Sequence, residues 1–144
     1  MEPIDPDVDP RYPTRQGPVV AAVALGGAVG ACARYGTTLL WPTPPTGFPW
    51  TTLAINTTGC ALLGVVLVLL TEGEPRHHLI RPFVGTGVIG GYTTFSTFAV
   101  DLQRLLQHHR ATTALGYLAA TVAAGLLAVL LAVTATRSLR ARTS

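Results

Sequence analysis

The sequence predicts an all-α membrane protein with four transmembrane helices, the third of them broken at mid-membrane. Three observations lead to this class. About half of the 144 residues are apolar and only 12% are charged, whereas a soluble domain usually carries about a quarter. The apolar residues form four segments near the ~20 residues that a bilayer requires. The third segment is interrupted at its centre by adjacent glycines and hydroxyl residues. The predicted spans are residues 19–40, 51–70, 80–106 and 112–135.

Outside these segments the chain has two short polar tails. Residues 1–17 combine four of the seven acids with several prolines, a composition that cannot bury enough apolar surface and therefore predicts disorder. Residues 18–136 are predicted to form one four-helix domain, and residues 137–144 a basic C-terminal tail. The net charge of +3 is small and gives no reason to expect a nucleic-acid partner.

The first span has a competing interpretation as a signal peptide, because two arginines precede it and the small residues at 31–33 resemble a cleavage site. Three further apolar segments follow, so we interpret the span as a retained helix. Gly26 and Gly30 are four residues apart, a spacing that favours close contact with another helix. Arg34, near the end of the span, is either a side chain that reaches the interface or a cation near the entry of an anion.

Polar residues in the second and fourth spans need partners within the protein. A buried amide is costly unless it forms hydrogen bonds, so Asn56 is expected either to join two helices or to contact a transported ion. In the fourth span Thr113, Tyr117, Thr121 and Gly125 recur every four residues and therefore share one face. Such a stripe either holds helices together or lines a path.

The centre of the third span is the least lipid-like part of the chain. Residues 90–98 read Gly-Gly-Tyr-Thr-Thr-Phe-Ser-Thr-Phe. Backbone polar groups at membrane depth must be satisfied internally, so a broken helix survives only where protein or an ion covers it. The ends of the two half-helices are then a usual device for an ion or substrate site. Phe95 and Phe98 occupy neighbouring positions of one helical face, which core packing alone would also explain.

This run resembles the third membrane helix of the Fluc (CrcB-type) fluoride channels, which carries a glycine pair followed by Thr-Thr-Phe-Ser-Thr-Phe. Gly-Gly-Ala-Val-Gly-Ala-Cys-Ala-Arg-Tyr at 26–35 and Thr-Leu-Ala-Ile-Asn-Thr-Thr-Gly at 52–59 fit the family in order and spacing. The resemblance covers residues 19–136. It implies a fluoride-specific channel for passive export of fluoride from the cytoplasm, in a multi-pass protein of the cell membrane. It also implies an antiparallel dimer with two pores.

The resemblance further implies the site residues. The two phenylalanines would turn their ring edges, which carry partial positive charge, towards the fluoride path, and hydroxyl and amide donors would replace water around the ion. A structural sodium ion, not transported, would be held on the two-fold axis by the backbone carbonyls of Gly90 and Thr93, since a hard cation prefers oxygen ligands. Ala99 and Asp101 depart from the serine and glutamate of the family. The implied fluoride path comprises Arg34, Asn56, Phe95, Ser96, Thr97, Phe98, Tyr117 and Thr121.

Two other membrane functions fit four spans of this length. A small multidrug-type transporter needs a carboxylate within the membrane, but no acid occurs between Asp9 and Glu72, so the first two spans lack one. A structural or accessory membrane protein would not need the glycine break and its phenylalanine pair. An enzyme is not expected, because the sequence offers no nucleophile–base pair and no cluster of metal ligands.

The ten basic residues, all of them arginine, are unevenly distributed about the four spans. With both tails on one side, only Arg104 and Arg110 fall near the span ends on the other side. Such a bias favours both termini in the cytoplasm. The predicted partner is a second copy of the chain or a paralogue inserted in the opposite orientation, and the bias favours the paralogue. The arginines on the side of the termini are Arg11, Arg15, Arg76, Arg81, Arg137, Arg140 and Arg142.

Overall fold

The computed structural model describes residues 16–44, 46–72 and 78–142, and over these residues the regular structure is helical. Predictions for residues 1–15, 73–77 and 143–144, including the predicted disorder of the N-terminal tail, concern residues outside the described part. The elements in chain order are α1 (Gln16–Leu40), α2 (Trp50–Thr71), a π-helical segment (Pro82–Ile89), α3 (Gly90–Tyr92), α4 (Phe95–Gln107) and α5 (Ala111–Ala141).

Within the described residues, α1, α2 and α5 are long and apolar enough to cross a membrane. The predicted all-helical, multi-pass class is therefore confirmed. Large apolar side chains stay exposed along these helices, including Leu126, Leu127, Leu130 and Leu131 on α5. Such continuous apolar exposure is not tolerated on a soluble monomer and suits a lipid-facing surface. The third predicted span differs from these three helices, because it is divided into the π-helical segment, α3 and α4.

The helix ends lie slightly outside the predicted spans. α1 already begins at Gln16, and α5 continues to Ala141, so most of the described part of the predicted C-terminal tail is helical. Long-range contacts explain the extension of α5. Arg137 forms an ion pair with the Glu72 carboxylate just after α2, and Arg140 Nη2 donates to the Glu72 carbonyl over 2.9 Å.

Glycines allow α1 to pack directly on the backbone of the third span. A Cβ added at Gly26 would meet the Phe83 carbonyl, and one at Gly30 would meet the Val88 carbonyl and lie 2.7 Å from the Tyr92 amide nitrogen. The predicted close contact at Gly26 and Gly30 is confirmed. Residue numbers rise together along this contact, so α1 and the third span run in the same direction.

The second pair of elements, α2 and α5, is also parallel. A Cβ at Gly64 would lie 2.8 Å from the Val129 carbonyl oxygen, and Glu72 pairs with Arg137 further along both helices. In contrast, α2 runs against the third span, since successive contacts join Asn56 to Thr94 and Thr52 to Asp101. Consecutive long segments therefore alternate in direction, as repeated crossing of a membrane requires.

The glycine contact predicts a difference between two neighbouring substitutions. Gly30→Ala would force a methyl group against backbone atoms and is expected to destabilise the protein by about 1–3 kcal/mol, the usual cost of overpacking. Gly27→Ala is the matched control, because a Cβ at Gly27 meets nothing within 4 Å. Thermal unfolding of the detergent-solubilised variants measures the difference. Equal unfolding temperatures for the two variants would contradict the backbone contact.

Candidate ion pathway

The third span is interrupted between α3 and α4 by two residues with extended backbone. Thr93 has φ −74° and ψ 160°, and Thr94 has φ −150° and ψ 124°. Thr94 is also the N-cap of α4, since its Oγ1 accepts a hydrogen bond from Thr97 N over 3.1 Å. A threonine at this position satisfies one of the free amides at the start of a helix. The interruption therefore leads directly into a capped new helix.

Asn56 on α2 supports the interruption from the side. Its Oδ1 accepts from the Thr94 amide over 2.9 Å, and its Nδ2 donates to the Thr94 carbonyl over 3.0 Å. Both backbone polar groups of Thr94 are thus bonded to one side chain. The carboxamide is well suited to this task because it carries a donor and an acceptor in one plane. One N–H of Asn56 is left for another acceptor.

Two backbone carbonyls lose their usual helical donors at the break. In a continuous α-helix the Thr94 amide would donate to the Gly90 carbonyl, and the Thr97 amide to the Thr93 carbonyl. Here the Thr94 amide donates to Asn56 and the Thr97 amide donates to the Thr94 hydroxyl. These are the two carbonyls that the family resemblance implies as ligands of a cation, and both have their α-helical donors diverted to side chains.

Neighbouring side chains close around the break. Arg34 on α1 donates from Nε to the Gly91 carbonyl over 3.2 Å, a carbonyl whose α-helical partner would be the Phe95 amide. On the α2 side, a Cβ at Gly59 would overlap the Thr93 methyl group, so only glycine leaves room for that threonine. Arg34 is thus placed at the break but contributes its hydrogen bond to the backbone.

One cavity of about 540 Å³ gathers most of the predicted site. It brings Asn56, Phe95, Phe98 and Thr121 together with the sodium-site residues Gly90 and Thr93. The other predicted path residues do not line it: Ser96 and Thr97 are near-neighbours of Thr94, with hydroxyl distances of 3.3 and 3.0 Å to its Oγ1. Tyr117 is fully buried behind Phe98. The full lining is Asn56, Gly59, Cys60, Leu63, Gly85, Ile89, Gly90, Thr93, Thr94, Phe95, Phe98, Leu118, Thr121 and Val122.

The two phenylalanines have different surroundings although their rings are neighbours. The ring centroids are 5.8 Å apart. Phe95 is 79% exposed in the single chain, whereas Phe98 is 8% exposed and packs on Tyr117 with a centroid distance of 5.2 Å. Phe98 therefore has a structural contact in addition to its place on the cavity, while packing within this chain does not explain Phe95.

Buried hydroxyl groups continue from the cavity towards Asp101. Tyr117 Oη and Thr121 Oγ1 are buried and form no hydrogen bond of normal geometry among the described residues, although Thr52, Asp101 and Thr121 all interact with the Tyr117 hydroxyl. Asp101 lies close to Tyr117, and its own carboxylate accepts from Thr52 Oγ1 over 2.7 Å and from Arg104 Nη2 over 2.9 Å. Buried polar groups are normally bonded, so donors that lack a well-formed bond here suit a small hydrogen-bond acceptor.

Reasoning from sequence missed four of these roles. Thr94 as the cap of α4 had a local signal, a threonine before a helical run. Arg104 also had a local signal, since it follows Asp101 by three positions on one helix. Thr52, the other partner of Asp101, and Gly59, which accommodates Thr93, had none, because their contacts join distant parts of the chain.

Comparison with known proteins gives consistent matches. The family described as CrcB-like protein, Camphor Resistance (CrcB), matches residues 21–133. The chain is 59% identical over 122 residues to Fluoride-specific ion channel FluC 1 of Streptomyces coelicolor, covering 85% of this chain and 79% of that protein. It is 54% identical over 125 residues to FluC 2 of Streptomyces avermitilis, covering 82% and 79%. FluC 3 of the same organism is 50% identical over 90 residues, covering 62% and 44%.

The support that Asn56 gives to the break can be measured by amide exchange. Asn56→Ala removes both bonds to Thr94, and exchange of the Thr94 amide should accelerate by at least about fivefold, because the loss of one buried hydrogen bond is worth ~1 kcal/mol or more. Hydrogen–deuterium exchange with mass spectrometry of a peptide covering residues 92–97 provides the measurement. Thr57→Ala, an adjacent change that removes no bond to Thr94, is the control. Equal protection in the two variants would exclude Asn56 as the support.

Proposed function

The chain belongs to the CrcB-like family, and from this premise we propose that it is a fluoride-specific ion channel that exports fluoride passively across the cell membrane. The proposal is carried by one observation: the broken third span, the phenylalanine pair and the buried hydroxyl of Thr121 meet around one cavity. The relatives named as fluoride channels support it. The alternative of a small multidrug-type exchanger is not favoured, since Asp101 is already engaged by Thr52 and Arg104.

Fluoride is small and strongly hydrated, so its path must replace water with hydrogen-bond donors. The free N–H of Asn56 and the hydroxyl of Thr121 point to such a role because both residues line the cavity, and Tyr117 extends the series of donors. Ser96, Thr97 and Arg34 lie around the break and are proposed to keep the path polar. The edges of Phe95 and Phe98 carry partial positive charge and would face the ion.

The chain is proposed to act as one half of an antiparallel dimer with a structural sodium ion on its axis. The carbonyls of Gly90 and Thr93 would hold the ion, and the loss of their α-helical donors supports this fit. The ion would supply positive charge that ties two broken spans together without being transported. Gly90 is exposed in the single chain, and a Cβ there meets nothing within 4 Å, which leaves room for a partner on this face.

The partner is proposed to be a paralogue inserted in the opposite orientation, with a second copy as the alternative. Streptomyces avermitilis has at least two numbered relatives, so more than one such chain can occur in a single organism. Among the described arginines, Arg81, Arg137, Arg140 and Arg142 lie at the ends near the C-terminus, against Arg104 and Arg110 at the other ends. Basic residues near span ends favour the cytoplasm, so this chain would insert mainly with its C-terminus inside.

The phenylalanine pair provides the test of fluoride conduction. Phe95→Ile and Phe98→Ile keep an apolar side chain of similar size but remove the ring edge, and each should reduce fluoride efflux from liposomes to the background leak. Phe83→Ile is the control, since Phe83 lies in the same span but lines a different cavity, next to α1. A fluoride electrode records the efflux. Efflux at the level of the unaltered chain in both variants would leave only a packing role for these rings.

If a sodium ion and a partner chain lie in front of Gly90, a larger side chain there should weaken the dimer, although it would contact nothing within a single chain. Gly90→Val should separate the two chains while leaving the helix content unchanged, because only a partner or an ion occupies the space in front of it. Gly116→Val on α5 is the control, since a Cβ there also meets nothing within 4 Å. Size-exclusion chromatography with light scattering, in sodium and in choline buffer, measures association. Unchanged association of Gly90→Val in both buffers would refute an ion and a close partner at this position.

The arginine distribution predicts the side of the C-terminus. A protease-cleavable tag after Ser144 should be protected in intact cells and accessible in inverted membrane vesicles, in more than about 90% of the molecules if the bias acts fully. Weakening the bias by Arg137→Gln together with Arg140→Gln should increase the fraction of molecules whose tag is accessible in intact cells. Equal populations of both orientations, together with fluoride flux from the purified single chain, would instead establish a homodimer of opposite orientations.

A further inference from the structure

Asp101 presents an electrostatic problem for the proposed path of an anion. Its carboxylate is buried, with the residue 5% exposed, and it lies beside the Tyr117 hydroxyl. A negative charge in a medium of low dielectric constant repels a second anion strongly unless a cation compensates it. The hydrogen bond from Thr52 orients one oxygen of the carboxylate but contributes no charge. A fluoride ion near Tyr117 therefore needs a cation close to Asp101.

Arg104 provides that cation. It follows Asp101 by three positions on α4, so both side chains lie on one face of the helix. Its Nη2 donates to Asp101 Oδ1 over 2.9 Å, and the Arg104 side chain is only 28% exposed. The position of Arg104 in the last turn of α4 is also favourable for a positive charge. A simple surface ion pair does not account for the contact, because Asp101 is buried.

A second observation distinguishes Arg104 from an ordinary ion-pair partner. Within the described part of the chain, three buried side-chain polar atoms have no hydrogen-bond partner: Arg104 Nε, Tyr117 Oη and Thr121 Oγ1. All three can donate. Asp101 contacts both Arg104 and Tyr117, and Thr121 is one helical turn from Tyr117 and lines the cavity. These donors thus form a series from the Asp101–Arg104 pair to the phenylalanines, in which Arg104 Nε has no partner within the residues that the structure describes and the Tyr117 hydroxyl interacts with Asp101 and Thr121 without a hydrogen bond of normal geometry.

We propose that Arg104 is a positioning residue for anion passage, which neutralises and orients Asp101 and offers its Nε–H as the outermost donor of the buried series. This inference rests on the proposed function and deepens it, since it gives Asp101 and Arg104 a role at one end of the proposed fluoride path. The short side chain of Asp101 is held between Thr52 and Arg104. The positive charge of Arg104 therefore compensates the negative charge that a passing anion would otherwise meet. The ligand class is a small inorganic anion that accepts hydrogen bonds.

The test removes the charge of Arg104 and leaves a polar side chain with N–H donors. Arg104→Gln should reduce fluoride efflux at least about tenfold, because removing one member of a buried ion pair leaves the other charge uncompensated. Arg110→Gln is the matched control, as an exposed arginine close in sequence and outside the buried pair. Efflux is measured in the preparation in which the unaltered protein conducts fluoride. Equal efflux for Arg104→Gln and Arg110→Gln would overturn the proposal.

A second variant separates charge compensation from a structural role. Asp101→Asn combined with Arg104→Gln removes both charges and retains a neutral pair, and efflux should rise at least about fivefold above that of Arg104→Gln alone, since the two sites are in contact and couple. Efflux as low as in the single variant, with both proteins unfolding at the same temperature, would overturn the proposal. Absence of fluoride efflux from the unaltered protein, both alone and together with its partner chain, would instead refute the proposed function, which keeps the two failures distinguishable.

Discussion

Asn56 forms two hydrogen bonds to the backbone of Thr94, and the course of the third span depends on this contact. Extended residues within a membrane-spanning segment expose amides and carbonyls that lipid cannot solvate. The side-chain carboxamide of Asn56 bonds both the amide and the carbonyl of Thr94. The Thr94 hydroxyl accepts a hydrogen bond from the amide of Thr97. Because side chains satisfy these groups, the helix can end at Tyr92 and begin again at Phe95.

The break in the third span also requires small residues on the neighbouring helices, because the side chains that support it act only when those helices approach closely. Gly26 and Gly30 bring α1 onto the backbone of the third span, and Gly59 admits the Thr93 methyl group. The same contacts leave an open cavity and a highly exposed Phe95 on the remaining face. That face is where the proposed partner would lie, and where ring edges and hydroxyl donors would meet a fluoride ion.

Local patterns predicted the parts of the structure that depend on nearby residues. Hydropathy located the helices to within a few residues, and the four-residue spacing of Gly26 and Gly30 predicted their contact. The π-helical form of residues 82–89 has no signal in the local pattern, and the helical end of α5 results from a contact with Glu72, far away in the sequence. The contact of Thr52 with Asp101 also has no local signal, because Thr52 reaches the carboxylate only once α2 packs against α4.

The central claim is that this break builds a path selective for fluoride. Liposomes containing the purified channel assembly can be loaded with equal concentrations of potassium fluoride and potassium chloride, and ion efflux started by a potassium ionophore. The account predicts rapid efflux of fluoride and chloride efflux no faster than from empty liposomes, since the donors around the cavity are arranged for a small, strongly hydrated anion. Comparable efflux of both ions, or of neither, would contradict it.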